Sequence, residues 1–319
     1  MNYKECICCN SKERRVISRI GRNFKKLTTV ICTGCGLIHS DPIPTTKELN
    51  KFYKENYRLK YKHSYYPQIR HTIRYAPGCL NLVKDILNYC HFNDYKNKRF
   101  LDIGSGSGEV LYFAKKFGLE AEGIEPNIGY AEFSKNVLKL KINNSSYEKA
   151  QLEKNSYDII NLNQVLEHLP NPLKVLNDLH NYLKPNGILA LTVPDIEAGL
   201  HSPNNIFHYA HIFNYNHLTL KKIFDKSGFQ ILNSDTKSTQ IFAKKVNEHD
   251  NSSIAFDFKK NYQNIISIMQ QNKYRKHYSS KVPYLRFMRK CYQYPKEIIL
   301  SFFFTSHKKV LDKVYSTQF

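Results

Sequence analysis

Fifteen residues, Phe100-Leu-Asp-Ile-Gly-Ser-Gly-Ser-Gly-Glu-Val-Leu-Tyr-Phe-Ala114, constrain the fold of this chain more than any other stretch. Arg99 to Ile103 is a short apolar run carrying one carboxylate, Asp102, and it reads as a buried strand. Gly104, Gly106 and Gly108 then supply main chain without Cβ, and Val110, Leu111, Phe113 and Ala114 begin a helical stripe. A strand, a glycine turn and a helix in succession are how α/β proteins hold nucleotides. Glycine lets the backbone approach the ligand, and the first amides of a helix have no intrahelical partner.

Spacing decides which nucleotide. A dinucleotide fingerprint, Gly-x-Gly-x-x-Gly, needs its third glycine at position 109, where this chain has Glu. A carboxylate in the first turn of that helix repels a pyrophosphate, and Asp102 adds to the repulsion. Asp102-x-Gly-x-Gly-x-Gly108 suits instead a ligand with an ammonium and a sulfonium and no phosphate. About twenty residues on, Leu119 to Asn127 reads as a second strand ending in Glu125, where one carboxylate accepts from both ribose hydroxyls.

Asp102-x-Gly-x-Gly-x-Gly with Glu125 resembles the class I S-adenosylmethionine-dependent methyltransferase family. The resemblance implies an α/β fold with a doubly wound, Rossmann-like, mostly parallel sheet and S-adenosylmethionine as cofactor. It points to Asp102, Gly104, Ser105, Gly106, Gly108, Glu125, Pro126, Asn163 and Gln164 as cofactor-binding residues. In that family an Asp commonly follows the third strand and receives the adenine amino group; here Ser145-Ser146-Tyr147 stands in its place.

Cys6-x-x-Cys9 and Cys32-x-x-Cys35 form two thiol pairs, each with the gap that lets both sulfurs face one ion. In a chain whose thiols stay reduced this reads as tetrahedral Zn²⁺, and four sulfurs make a structural site. The twenty-two intervening residues, with strand patterns from Arg14 to Ile20 and Lys26 to Ile31, fit a zinc ribbon. Cys8 in a shifted register and His39 as a spare ligand are the alternatives; Cys79, Cys90 and Cys291 read as packing residues. Downstream, Pro42 and Pro44 give an extended connector, Thr45 or Thr46 caps a helix, and Leu49, Phe52 and Tyr53 stripe it. A cysteine-pair module followed by Asp-Pro-x-Pro-Thr and a Phe-Tyr helix resembles the N-terminal region of bacterial methyltransferases that modify sugars and surface polysaccharides. That likeness implies an acceptor hydroxyl on a sugar, nucleotide-sugar or other glycan precursor.

Composition bounds the partners. The chain has 319 residues, 41% of them hydrophobic, and a net charge of +21. No apolar run approaches a membrane span, and Met1-Asn-Tyr-Lys-Glu-Cys6 has no signal region, so the expected location is cytoplasmic. The charge splits as +13 over residues 1–100, −2 over 101–243 and +10 over 244–319. The basic flanks suit RNA, an anionic membrane surface or a phosphorylated substrate, and equally a solvated surface.

Along the rest of the chain, Tyr57, Tyr61, Tyr65, Tyr66 and Tyr75 either form an acceptor lid or pack a helix striped by Leu80, Val83, Ile86, Leu87 and Cys90. Tyr157 to Asn163 is the fourth strand, and Val165-Leu-Glu-His-Leu169 beyond it again resembles the methyltransferase family. Ligands bind off the carboxyl ends of open α/β sheets, which puts Asn163, Gln164, Glu167 and His168 at the crevice. Leu173 to Leu183 reads as a helix stopped by Pro185-Asn-Gly187, and Ile188 to Val193 as the fifth strand. Asp195, Glu197, His201, His208, His211 and His217 follow it. A hydroxyl acceptor must lose its proton, and His168, then His211 and His208, are the candidate catalytic bases.

Residues 244–319 hold no glycine and read as helical; Ile298 to Phe304 either dips into a membrane surface or, the favoured reading, is a buried helix or dimer contact. The expected domains are a zinc module at 1–45, a helical connector or lid at 46–98, the cofactor domain at 99–243 and a basic extension at 244–319. The competing functions are an RNA methyltransferase using the flanks and a non-catalytic zinc-bearing adaptor. Nothing in the sequence sets an oligomeric state.

Overall fold

The computed structural model describes residues 5–52, 64–92, 94–198, 202, 205–235, 239–246, 256–271 and 274–317. Tyr53, Tyr57, Tyr61 and His201 lie outside the described residues. In chain order the elements are β1 (Arg14–Ile20), β2 (Lys26–Cys32), β3 (Ile38–Ser40), α1 (Thr46–Phe52), α2 (Ile69–Asn88), β4 (Arg99–Ile103), α3 (Glu109–Lys116), β5 (Glu120–Ile124), α4 (Ile128–Asn136), β6 (Lys141–Asn143) and β7 (Tyr157–Asn163). They continue with α5 (Pro172–Tyr182), β8 (Leu183–Thr192), β9 (Phe213–Asn214), α6 (His217–Phe224), β10 (Phe229–Asp235), β11 (Gln240–Lys245), α7 (Phe258–Gln271), α8 (Tyr274–Ser279), α9 (Val282–Phe303) and α10 (His307–Ser316). The chain divides into two compact units: Met1–Leu49 with Gln164–His180 and Leu191–Met288, and Asn50–Asn163 with Asn181–Ala190 and Arg289–Phe319.

The second unit carries the Rossmann-like architecture. Its strands lie in the order β8-β7-β4-β5-β6, and β4 pairs in parallel with both β5 and β7. Parallel pairing requires a crossover between strands, which α3 and α4 supply after β4 and β5. The chain moves outward from β4 to β6 and returns on the other side of β4 as β7, so strand order reverses between β4 and β7. That reversal is the topological switch point at which such sheets bind ligands. β4 is buried from Phe100 to Ile103, as the near-continuous apolar run requires of a strand covered on both faces. The buried stripe of α2, with Leu80, Val83, Ile86 and Leu87, matches the helical period of the sequence. α10 is part of this unit: Val310 and Leu311 are buried, Tyr112 donates to Asp312 at 2.6 Å, and the Phe117 and Tyr315 rings meet edge to face at 5.4 Å.

The first unit holds a four-stranded sheet in the order β1-β2-β3-β9, antiparallel throughout. Ile31, Ile38, Phe207 and Ile265 form its buried apolar cluster, with Leu27, Ile206 and Tyr262 against it. The expected two-stranded ribbon is thus widened by β3 and by β9, about 170 residues away in sequence. β10 and β11 form an antiparallel hairpin. Thr45 and Glu48 cap α1 reciprocally: the Thr45 amide donates to Glu48 Oε2 at 2.7 Å and the Glu48 amide to Thr45 Oγ1 at 3.3 Å.

Three expectations are corrected. Pro185-Asn-Gly187 lies inside β8 rather than separating a helix from a strand, with Asn186 in the left-handed region at φ +64°. Ile298, Ile299, Phe302 and Phe303 are exposed in the chain, which overturns the buried helix and leaves the dimer contact and the membrane surface. Cys291 is exposed as well and packs nothing, whereas Cys90 is buried. No helix among the described residues is long and apolar enough to cross a membrane.

Candidate functional site

In the second unit the glycine loop is fixed by hydrogen bonds that its sequence makes available. The Gly104 and Ser105 amides donate to the Ile124 carbonyl at 2.8 and 3.0 Å, which ties the loop to the end of β5. The Gly106 amide donates to Glu125 Oε2 at 2.8 Å, and the Asn127 amide to Glu125 Oε1 at 2.8 Å. Asn144 Nδ2 donates to the Glu125 carbonyl at 2.7 Å. Glu125 is 4% exposed, so the acid at the end of β5 holds the loop as a brace.

Gly106 takes φ +55°, and a Cβ there meets nothing within 4 Å. The loop therefore has open space on the side where a ligand must approach. Gly108, at φ +83°, is the N-cap of α3, and a Cβ there would stand 2.6 Å from Leu140.

Asp102 is 3% exposed and accepts from Asn161 Nδ2 at 2.7 Å. Burial, with the charges of Glu125 and Glu109, pushes its carboxyl up to about 7 against the Asn161 amide, which favours the ionised form. A cationic ligand relieves that cost. Glu109 does not line the loop as an exposed repelling charge; it is buried, with Ser107 Oγ 2.8 and 2.7 Å from its two oxygens. Thr72 Oγ1 donates to it at 3.2 Å and the His71 ring stands 3.6 Å away. Burial alone would raise the Glu109 carboxyl, but His71 and Ser107 hold it below its ordinary value.

The hydroxyls of Ser105, Ser145 and Ser146 are buried and have no hydrogen-bond partner. Buried polar groups without partners are uncommon in folded proteins. Two buried carboxylates, an open glycine bend and these orphaned hydroxyls fit a cation that carries a ribose and a base, as S-adenosylmethionine does. Ser145 and Ser146, which stand where the family commonly has an Asp, are thus two of the orphaned hydroxyls, and Asn144 before them holds the Glu125 carbonyl.

In the first unit a second cluster is built on one residue's main chain. The Ala210 amide donates to His208 Nδ1 at 3.0 Å, and the Ala210 carbonyl is 2.6 Å from His168 Nδ1. A carbonyl only accepts, so His168 Nδ1 carries a proton and Nε2 of the neutral ring carries a lone pair. His168 Nε2 stands 3.5 Å from Glu167 Oε1. The His211 ring lies 4.9 Å from that of His168 and 5.2 Å from that of His208, centroid to centroid. All three sequence candidates are thus brought together, and donor atoms of Glu167, His168 and His211 fall within 4.8 Å of one another.

Glu167 is the residue sequence reasoning undervalued. It is 1% exposed, neither carboxyl oxygen has a hydrogen-bond partner, and burial pushes it up to about 8. His208, also buried, is held down to about 3 by desolvation and by Arg22, His168 and Lys25. The backbone that carries the cluster is anchored to the cysteine module. The Ile212 amide donates to the Glu167 carbonyl at 2.8 Å, the Ser40 amide to the Ile212 carbonyl at 2.8 Å, and β9 begins at Phe213 against β3.

Gln164 turns at φ +57°, and its amide donates to the Thr192 carbonyl at 2.8 Å. Asn163 ends β7 and Pro126 follows Glu125 in the loop that leads to α4. Tyr65, Tyr66 and Tyr75 are 49, 50 and 44% exposed; Tyr66 donates to Glu132 at 3.0 Å, and the Tyr75 ring lies 4.4 Å from that of His71, centroid to centroid.

The four thiols converge. Cys6 Sγ is 3.6 Å from Cys35 Sγ and Cys9 Sγ is 3.5 Å from Cys32 Sγ, close to the edge of a tetrahedron with Zn–S bonds of about 2.3 Å. Cys8 points elsewhere, to the Thr219 carbonyl at 4.0 Å, and His39 Nδ1 contacts the Ser40 carbonyl at 2.9 Å; the four-thiol register stands without either.

A parallel sheet with its switch point beside an acid-ended strand, a glycine bend and a second acid at the next strand end defines a Rossmann-like methyltransferase fold. Residues 70–234, more than half of the chain, match the family model for a methyltransferase domain, and the chain belongs to that family. It is similar to an uncharacterized methyltransferase of Schizosaccharomyces pombe, 31% identical over 127 residues, covering 35% of this chain and 46% of the relative. It is also similar to a ubiquinone biosynthesis O-methyltransferase of Histophilus somni, 25% identical over 107 residues, 30% of this chain and 45% of the relative. The chain thus spans a little under half the length of the curated relatives it matches. Among solved structures, a magnesium protoporphyrin IX methyltransferase from Synechocystis with bound S-adenosylmethionine aligns with a TM-score of 0.46 at 12% identity, over 63% of this chain and 96% of that one.

Proposed function

We propose that this chain transfers a methyl group from S-adenosylmethionine to a hydroxyl of a sugar, a nucleotide-sugar or another surface-glycan precursor. The observation that carries the reading is the convergence of His168, His211 and the buried Glu167 carboxyl, with His168 Nδ1 turned to the Ala210 carbonyl. In sequence Glu167 and His168 stand four and five residues after Asn163, the last residue of β7.

When bound, the cofactor supplies a methyl carbon activated by sulfonium. The chain's residues do the rest. Asp102 would attract the ammonium and Glu125 and the Gly106 bend would hold the ribose, while His168 would accept the acceptor hydroxyl's proton at Nε2 as the methyl carbon passes from sulfur, left as a thioether, to oxygen. The imidazolium so formed lies 3.5 Å from Glu167, whose ionisation that charge favours. His211 completes the wall beside His168. The front-end likeness to sugar-modifying methyltransferases supports a glycan acceptor, and the O-methyltransferase in the name of one set of relatives supports oxygen as the class of acceptor atom. Cys6, Cys9, Cys32 and Cys35 hold a structural Zn²⁺ in this reading, because four converging sulfurs leave no ligand position for substrate.

The test is transfer of labelled methyl from S-adenosylmethionine to a panel of nucleotide-sugars and to tRNA. Label on a nucleotide-sugar that disappears in His168→Ala supports the proposal. Label on tRNA alone, with a salt-steep affinity, moves the chain to the RNA reading. No cofactor binding by calorimetry leaves the zinc-bearing adaptor.

A further inference from the structure

The part of α9 that belongs to the second unit, Arg289–Phe303, is oriented inside out for a surface helix. Tyr292 is 72% exposed, Tyr294 48%, Ile298 41%, Ile299 56%, Phe302 80% and Phe303 76%. At roughly 100° per residue these six side chains occupy about half of the helix circumference. The opposite side is the one that packs: Glu297 is buried, and Gln293, Leu300 and Ser301 are partly covered. Arg74 clamps Glu297, its Nε donating to Glu297 Oε1 at 2.6 Å, so the rotation of the helix is fixed by a bidentate ion pair. Single exposed apolar residues need no explanation, but a contiguous aromatic and aliphatic face does.

Charge says what covers it. Arg289 and Lys290 stand on opposite borders of the apolar arc, Lys296 lies on the Arg289 side, and Lys308 and Lys309 follow on α10; all five are exposed. The two acids of residues 289–317 are turned to partners within the unit, Glu297 to Arg74 and Asp312 to Lys116. A second copy of the chain would bring the same cations against each other across a two-fold contact, in a protein whose net charge is already +21. An anionic bilayer meets both demands at once: its acyl boundary takes the aromatic face and its headgroups take the flanking cations. Tyrosine suits the boundary between the two, and fifteen helical residues, about 22 Å long, lie in that plane and do not span it.

We propose that Arg289–Phe303 is an in-plane docking helix that places this protein on an anionic membrane surface. The proposal does not depend on the acceptor named above.

The test uses the full chain and sedimentation with vesicles of phosphatidylcholine alone or with about 30 mol % phosphatidylglycerol, read at low and high salt. Binding is expected to the anionic vesicles only. The pair Phe302→Ser and Phe303→Ser should weaken it by at least about tenfold, and the pair Lys308→Glu and Lys309→Glu by a similar factor at low salt. Because these side chains are exposed, both variants should keep the unfolding midpoint and the cofactor affinity of the parent, which separates loss of docking from loss of fold. No binding to anionic vesicles, or binding indifferent to the phenylalanine pair, overturns the proposal. So does light scattering that shows a dimer which the phenylalanine pair abolishes.

Discussion

Glu125 and Glu167 are both buried, at 4 and 1% exposure, and both follow a parallel strand, yet their surroundings are opposite. Glu125 accepts a main-chain amide on each oxygen; neither oxygen of Glu167 has a hydrogen-bond partner. Two amide donors favour a carboxylate in its charged form, and desolvation without donors favours the neutral acid. The first glutamate therefore works as a fixed negative brace that shapes a loop before any ligand arrives. The second works as a poised acid whose charge depends on what stands next to it, and what stands next to it is the His168 ring.

The largest expected effect separates His168 from the brace. His168→Ala should lower kcat by about 10² to 10⁴, the range for removing a general base, while the dissociation constant for S-adenosylmethionine stays within about twofold. A parallel loss of cofactor affinity would mean that the histidine belongs to the same function as Glu125. Next comes Glu125 itself. Glu125→Ala strands the Gly106 and Asn127 amides, and two charge-assisted hydrogen bonds at about 1.5–3 kcal/mol each imply at least a hundredfold weaker cofactor binding by calorimetry. Glu125→Gln, which keeps an acceptor for one amide only, should fall between. Unchanged affinity in both variants would sink the brace.

How far the sequence reached follows from this contrast. Asp102, the glycines and Glu125 sit within one strand-turn-helix-strand segment, so local spacing carried the whole loop. The same holds for the thiol pairs, where only the choice of Cys9 over Cys8 waited for coordinates. The histidines were candidates by position, but their tautomers depend on the Ala210 peptide, and the segment bearing Ala210 is held by β3 of the cysteine module, about 170 residues earlier. No local pattern reports a pairing of that range. Topology alone puts Glu167 at the crevice, but a Glu in a loop acquires no role until its burial and lack of donors are known. At the C-terminal end, apolar pattern suggested burial for Phe302 and Phe303, and the Arg74–Glu297 pair turned that face outward instead.

A smaller effect tests the charge of the cofactor site. Asp102 sits at about 7, and a cationic ligand binds its ionised form. Below that pH the site must lose a proton for the ligand to enter, so affinity should drop by up to about tenfold per unit of pH, with proton release measurable near pH 7. Above it the dependence should level off. Affinity that is flat from pH 5 to pH 8, at roughly constant ionic strength, would place the ligand's charge away from Asp102.

The smallest effect is the most specific to Glu167. Its carboxyl is held at about 8 against an ordinary value of 4.5, so between those values the folded chain keeps a proton that the unfolded chain has lost. Stability contributed by that proton is complete below about 4.5 and is lost as pH rises toward 8, with a slope of at most about 1.4 kcal/mol per unit. Glu167→Gln cannot ionise and should flatten this part of the stability profile in urea titrations. Below about pH 4, where the carboxyl is protonated in the folded and the unfolded chain alike, the two proteins carry neutral groups of one shape and should differ by less than about 1 kcal/mol. The sign is what discriminates. If instead the parent gains stability relative to Glu167→Gln as pH rises from about 3 to 5 and the difference then stays level to pH 8, the carboxyl is ionised and supported by its neighbours, and Glu167 is a second brace like Glu125 and not a poised acid beside His168.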